Sequence, residues 1–174
     1  GTSPEDTAID LVIEDGTRVG TVYFLMDEAN VARQAGLPWM AFGSDAEAQA
    51  PEGVFLLSST HPRAYGNVSR LLGKYVRAEN KATLPDAIRR LTSFPATNLG
   101  ITDRGLLKAG NYADVVVFDP ATIIDHATYE KPQQLSTGVD HVYVNGVQVL
   151  NDGKPTGKAA GRFVKGPGAG KCAS

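Results

Sequence analysis

An aspartate and an arginine on either side of a long loop are the residues whose types and spacing could do chemistry. The apolar run 38–42 ends in Gly43-Ser44-Asp45, and His61-Pro62-Arg63 follows the loop. A carboxylate can accept a proton and return it, and a guanidinium can bind a carboxylate through two parallel hydrogen bonds. The pattern indicates a hydrolytic site for a charged substrate, and the rest of that site must come from other residues.

Each of these residues also has a plain structural explanation. An aspartate that follows a strand often accepts hydrogen bonds from the N–H groups of a turn, and most arginines lie on the solvated surface. His61 precedes a proline, which keeps its backbone extended, so its ring either lines the site or bonds to backbone. Ser44 lies outside any G-x-S-x-G motif, and no histidine has a spacing that argues for a triad, so we expect a structural serine.

The charge and composition of the chain exclude several classes of partner. The net charge is −2, which gives no electrostatic reason to bind nucleic acid or an anionic membrane. No apolar run approaches the ~20 residues that span a bilayer, so we expect no membrane segment. The single cysteine, Cys172, allows no intrachain disulfide and fits a reducing compartment, and we therefore expect a cytoplasmic protein.

The histidines do not have the spacing of a metal site. His61, His126 and His141 are far apart, and none belongs to a His-x-His motif or to a cluster with cysteine. The sequence by itself therefore shows no metal centre.

An α/β unit is predicted to position the aspartate. The segments 19–26 and 38–42 are typical of strands buried on both faces, and Asp27 can cap a helix over 28–34 between them. Strand, helix and strand in succession predict a βαβ unit whose two strands are parallel neighbours. The loop 46–60 that follows is long enough to be functional or disordered.

Further helices are predicted before this unit and after the loop, and strands are predicted beyond residue 100. The helices lie between a Ser3 cap and Gly16, over 67–77, over 84–93 behind a Thr83 cap, and as one turn over 95–99. The strands lie at 113–118, in a hairpin over 141–150 that turns at Asn145-Gly146, and at 162–164, with a second turn at 151–153. Residues 165–174 are rich in glycine and lysine, and we expect them to be disordered.

Two parallel strands cannot form a stable sheet. Such a sheet needs several strands, with helices on both of its faces. The α/β part is therefore expected to pair with another copy, with another chain or with further sequence of a larger protein.

Motifs along nearly the whole chain resemble those of one enzyme family. In order, they are VGTVYFLMDEANV, PWMAFGSDA, APEGVFLLSSTHPRAYG, RLLGKYV, AIRRLTSFPATNLGI, DRGLLKAGNYADVVVFDP and HVYVNGVQVLNDG. Over about residues 4–167 the chain resembles the C-terminal third of the N-acyl-D-amino-acid deacylases (D-aminoacylases) of the amidohydrolase superfamily. The last two motifs are shared across many amidohydrolases, whereas GSD together with HPRAYG is much more specific to D-aminoacylases.

The resemblance implies an α/β fold, with the C-terminal strands and helices of a TIM (β/α)8 barrel plus part of a small β-sandwich domain. Residues 1–100 would form the barrel part, with 19–26 and 38–42 as its last two strands. Residues 101–165 would form the β-sandwich portion, and 166–174 a flexible tail. Active sites of such barrels lie at the C-terminal ends of the strands, which is where Asp45 falls.

The resemblance also implies a role for each candidate residue. Asp45 would be the catalytic proton acceptor, with a metal-ligand role as a secondary interpretation. Arg63 would bind the carboxylate of an N-acyl amino acid substrate, with His61 beside it as a second substrate-binding residue. The cofactor would be zinc, with ligands expected mainly from sequence not present in this chain. The implied partner is the missing N-terminal part of the barrel or a second chain, so we expect the isolated chain to be inactive.

Two other functions stay open on this reasoning. A sibling amidohydrolase that acts on cyclic amides, such as a dihydroorotase or a hydantoinase, shares the superfamily motifs, although Arg63 argues against it. A non-catalytic β-rich assembly module, paired with itself or with another chain, is the alternative from a different class. Loop 46–60 is a candidate for one wall of the acyl or side-chain pocket.

Overall fold

Helices occupy the first hundred residues and an antiparallel sheet follows, so the chain is a mixed α/β structure. The computed structural model describes residues 1–16, 19–21 and 23–169. Its helices are α1 (Pro4–Asp15), α2 (Glu28–Ala35), a 3-10 turn (Gly53–Leu56), α3 (Arg63–Arg70), a π-helix (Leu71–Ala78), α4 (Leu84–Leu91) and α5 (Ser93–Asn98). Its strands are β1 (Val115–Phe118), β2 (Val139–Val144), β3 (Val147–Asn151) and β4 (Lys154–Pro155). Within the described ranges, no helix is both long enough and apolar enough to cross a membrane.

Three of the helices begin at the capping residues that the sequence predicted. The side chains of Ser3, Asp27 and Thr83 each accept a hydrogen bond from the backbone N–H three residues later, which satisfies one free donor of the first turn. The predicted helix over 67–77 is also present. It begins earlier, at Arg63, and its second half is π-helical.

The helices pack around a small apolar cluster of their own. Ala32 and Ala35 of α2 contact Leu71 and Tyr75 of the π-helix. The Tyr75 hydroxyl also donates a hydrogen bond of 2.9 Å to the carboxylate of Glu28, at the start of α2. This contact holds α2 against the long helical segment that begins with Arg63.

A second cluster joins the helices to the sheet. Leu72, Val76 and Ala87 cluster with Ile123, which is 2% exposed. Gly73 permits this approach, because a side chain at that position would place its Cβ only 2.6 Å from the carbonyl oxygen of Ile123. The helical part and the β-rich part are therefore in direct contact.

The four strands form one antiparallel sheet in the order β1-β2-β3-β4. The predicted hairpin turns at Asn145-Gly146, whose φ angles of 50° and 79° suit a tight two-residue turn. The predicted turn at 151–153 is also present and leads into β4. The predicted strand at 162–164 is wrong, because β4 pairs with the edge of β3 instead. Residues 170–174 of the predicted tail lie outside the described residues.

The predicted pair of parallel strands does not form. The described residues of 19–26, which exclude residue 22, and those of 38–42 belong to no strand, so the predicted βαβ unit is wrong for this structure. The physical reason is that a parallel strand is stabilised by neighbouring strands and by helices on both faces, and the described residues do not supply them. The side chains of residues 23–26 are consequently 74–86% exposed.

Candidate functional site

Asp45 and Arg63 lie side by side, although 18 positions separate them in the sequence. Nη2 of Arg63 is 2.9 Å from Oδ2 of Asp45, and Nε donates to the Asp45 carbonyl at 3.0 Å. The Asp45 side chain is 90% exposed, so the ion pair contributes no more than about 1 kcal/mol and a competing carboxylate can replace it. Nη1 of Arg63 has no partner among the described residues, which leaves one edge of the guanidinium free.

Side chains from two helices hold the segment that leads to Asp45. They bind backbone carbonyls along 38–45, which have no strand partner in this structure. The bonds are Arg89 Nη2 to Pro38 O (2.7 Å), Arg90 Nε to Met40 O (2.7 Å), Asn67 Nδ2 to Gly43 O (3.2 Å) and Arg63 Nε to Asp45 O (3.0 Å). Together these bonds determine where the Asp45 backbone lies.

Arg90 is the most deeply buried of these donors, at 0% exposure. Its guanidinium also donates to the carbonyl of Ala35 at 2.7 Å and lies over the ring of Phe42, 4.2 Å from the centroid. A buried charge is costly unless it is paired. The carboxylate of Asp86, whose Oδ2 lies 3.5 Å from Nη1 of Arg90, provides that pairing. Sequence reasoning missed Arg90, and the only available signal was its position three residues after buried Ala87 on α4.

His61 forms hydrogen bonds through both ring nitrogens. Nδ1 accepts from the backbone N–H of Arg63 at 3.1 Å, and Nε2 lies 3.1 Å from the hydroxyl oxygen of Tyr129. Burial of the ring, followed by the positive charge of Arg63, lowers the pKa of His61, so the ring is neutral near pH 7. The His61 ring therefore lies beside Arg63 and is held there by the hydrogen bond from the Arg63 backbone.

Two residues of the connection between β1 and β2 form hydrogen bonds with the segment 55–61, which leads to Arg63. One is Tyr129, whose hydroxyl bonds to His61, and the other is Gln133, whose Nε2 donates to the carbonyls of Phe55 (3.3 Å) and Ser58 (2.7 Å). These contacts join residues 68 to 78 positions apart. Sequence reasoning missed Tyr129 and Gln133 because no local pattern marks a contact over such a distance.

The other residues weighed from the sequence lie outside this cluster. Ser44 bonds within its own turn, to the carbonyl of Ala46 at 3.5 Å. His126 bonds to the Thr137 hydroxyl at 2.9 Å, and His141 lies in β2, so both belong to the β-rich part. Among the described residues, none of these three side chains bonds to Asp45.

The described residues do not form a metal site by themselves. In the part of the chain that the structure describes, no group of three or more histidine, cysteine, aspartate or glutamate side chains could hold a metal ion. Asp45 supplies a single carboxylate that is paired with Arg63, whereas protein zinc sites use three or four protein ligands. Asp45 can therefore contribute to a zinc centre only together with ligands from elsewhere.

Comparison with known protein families gives a match over most of the chain. The model of the amidohydrolase family matches residues 26–150, a range that contains Asp45, His61, Arg63 and Tyr129. An N-acyl-D-aspartate deacylase of Alcaligenes xylosoxydans xylosoxydans is 40% identical over 149 residues, which is 86% of this chain and 28% of that protein.

Two solved structures are similar to this chain in fold. The crystal structure of a D-aminoacylase gives a TM-score of 0.76 at 36% identity, over 93% of this chain and 34% of that one. The structure of an N-acyl-D-glutamate deacylase from Bordetella bronchiseptica, complexed with zinc and a phosphonate mimic of the tetrahedral intermediate, gives 0.68 at 37% identity, over 84% and 32%. This chain thus spans about a third of the length of the proteins that it matches.

Proposed function

Because this chain belongs to the amidohydrolase family, we propose that it is the C-terminal part of a zinc-dependent deacylase that hydrolyses the amide bond of N-acyl-D-amino acids. The observation that carries this proposal is the contact between Asp45 and Arg63. It joins an exposed carboxylate, able to move a proton, to a guanidinium with a free edge, able to bind an acidic substrate. The deacylases similar to this chain, one of them complexed with zinc, support the reaction class.

Arg63 binds the substrate in this proposal. The free Nη1 and the adjacent Nη2 face a carboxylate as a fork and bind both of its oxygens, while Nε keeps its bond to the Asp45 carbonyl. The amide bond of an N-acyl amino acid is one carbon away from that carboxylate, so the reacting group lies close to Asp45. Asp45 accepts a proton from the attacking water and passes it to the leaving amine.

Zinc would supply the activation that these residues cannot. A bound zinc ion lowers the pKa of water and polarises an amide carbonyl. Its ligands come mainly from sequence outside this chain, because the described residues do not form a metal site. The roles of Asp45 and Arg63 are limited to proton movement and substrate binding by their own side chains.

The exposed apolar side chains of residues 23–26 support a place for this chain in a barrel. We assign residues 1–100 to the C-terminal part of a (β/α)8 barrel and 101–165 to a β-sandwich portion, followed by the tail 166–174. Residues 23–26 are apolar although they are 74–86% exposed, which suits a surface that further parts of a barrel would cover. The rest of the barrel, in the same polypeptide or in a second chain, covers them. The cytoplasmic location stays a prediction.

A substrate panel on the complete protein tests the proposal. We expect hydrolysis of N-acyl-D-amino acids, and loss of this activity with Asp45→Asn by roughly 10²- to 10⁴-fold in kcat, the range for a lost general base. Arg63→Lys keeps the charge but loses the fork, so KM rises more than kcat falls. Glu47→Gln, an exposed acid of the same loop, is the matched control and leaves both constants unchanged.

Three results would count against the proposal. Faster hydrolysis of cyclic amides than of N-acyl amino acids would favour a dihydroorotase-like or hydantoinase-like enzyme. Full activity of Asp45→Asn would remove the proposed proton acceptor. Zinc-dependent deacylation by this chain alone would contradict the expectation that the metal ligands lie elsewhere.

A further inference from the structure

Tyr129, from the β-rich part, is fixed against His61, which lies just before α3 and its first residue, Arg63. Its ring meets the His61 ring edge to face, with centroids 5.2 Å apart, and the Phe24 ring at 4.9 Å. Its hydroxyl oxygen lies 3.1 Å from Nε2 of His61. Two aromatic contacts and one hydrogen bond restrict the ring, so the hydroxyl has a defined position beside His61.

The bonds around His61 determine where the Tyr129 hydroxyl directs its hydrogen. A backbone N–H is always a donor, so the bond from Arg63 N–H requires Nδ1 of His61 to be an unprotonated acceptor. The neutral ring therefore carries its hydrogen on Nε2 and donates it to the Tyr129 oxygen. The hydroxyl hydrogen of Tyr129 must then point to a different acceptor.

The described residues offer no such acceptor. His61 is the sole hydrogen-bond partner of the Tyr129 hydroxyl in the described part of the chain, and Tyr129 is 46% exposed. The free donor thus faces solvent, or a ligand, beside the His61 ring. One imidazole ring separates the hydroxyl from the backbone of Arg63, because His61 bonds to each of them through opposite edges.

We propose that the Tyr129 hydroxyl donates a hydrogen bond to the carboxylate of the N-acyl amino acid that Arg63 binds. The proposal rests on the proposed function and adds a specificity-determining residue from the β-rich part of the chain. A carboxylate suits this position because it offers about four lone-pair sites, so it can accept from the guanidinium fork and from a hydroxyl together. Tyr129 then favours a free carboxylate over a carboxamide or an ester, because a hydrogen bond to a charged acceptor is stronger than one to a neutral carbonyl.

Two matched substrates test this role in the complete enzyme. One is an N-acyl-D-amino acid, and the other is the same compound with its carboxylate converted to a carboxamide. Tyr129→Phe keeps the ring contacts and removes only the hydroxyl, so we expect KM for the acid to rise about 10-fold, as for a lost bond to a charged group, with kcat changed less than twofold. KM for the carboxamide is expected to rise less, because its carbonyl is a neutral and weaker acceptor.

Two variants act as controls. Tyr112→Phe removes a hydroxyl from a tyrosine that stacks on Arg104 in the β-rich part, and it leaves both substrates unaffected. His61→Asn offers an oxygen to the Arg63 N–H, as Nδ1 does, but cannot hold Tyr129, so we expect a smaller rise in KM for the acid. Thermal unfolding of each variant separates lost binding from lost folding.

The outcomes separate this proposal from the proposed function. A wild-type enzyme that hydrolyses no N-acyl amino acid rejects the function itself. An active wild type whose KM for the acid is unchanged by Tyr129→Phe, or changes equally for the carboxamide, overturns the role of Tyr129 alone. Nitrogen NMR shifts of His61 give a readout that does not depend on activity, because a hydrogen on Nδ1 instead of Nε2 would reverse the argued donor direction.

Discussion

Replacing Arg90 by methionine removes the most deeply buried of the bonds that hold the segment before Asp45. The variant loses two hydrogen bonds of 2.7 Å from a cationic donor, to the carbonyls of Ala35 and Met40. A buried group left without its partner costs about 1–3 kcal/mol, and Met40 is partly exposed, so water offsets part of its loss. We therefore expect the free energy of unfolding to fall by about 2–4 kcal/mol in total.

The neighbouring arginine supplies a matched control for this prediction. Arg89→Met removes a bond of the same length, to Pro38, from the same helix, but the Arg89 side chain is 41% exposed. Its loss is expected to cost less than about 1 kcal/mol. Urea unfolding of both variants, with hydrogen exchange of the amides of 38–45, measures the difference. Equal destabilisation by the two substitutions would refute the reasoning that burial gives Arg90 its larger effect.

Two further predictions concern the contact between the two parts of the chain and the site histidine. Gly73→Ala places a Cβ within 2.6 Å of the Ile123 carbonyl oxygen, so we expect the free energy of unfolding in urea to fall by about 1–3 kcal/mol. Gly161→Ala is the control, because the space around Gly161 is open, and we expect it to leave stability unchanged. The lowered pKa of His61 means that its contribution to stability is complete above its ordinary value of 6.5 and is lost as pH falls below that value. Unfolding measured between pH 5 and 8 tests this, and a pH dependence that His61→Asn does not reduce would contradict it.

The helices could be predicted from the sequence because their signals are local. Ser3, Asp27 and Thr83 cap helices within three residues of themselves, and the same short-range logic predicts the Asn145-Gly146 turn. The strands 19–26 and 38–42 could not be predicted correctly for this structure. Their apolar composition indicates that these segments become buried. It does not show that they form strands, because a strand forms only when a neighbouring strand pairs with its edge.

The candidate site was also predicted only in part. The sequence by itself determined which residue types were present, a carboxylate after an apolar run and an arginine in HPR, and their motifs indicated the family. Only the tertiary structure decided that Asp45 touches Arg63, that Arg90 holds the segment before Asp45, and that Tyr129 reaches His61. The physical reason is range: a cap or a turn is specified within a few residues, whereas these contacts join residues 18 to 68 positions apart, which only the packing of the whole chain can bring together.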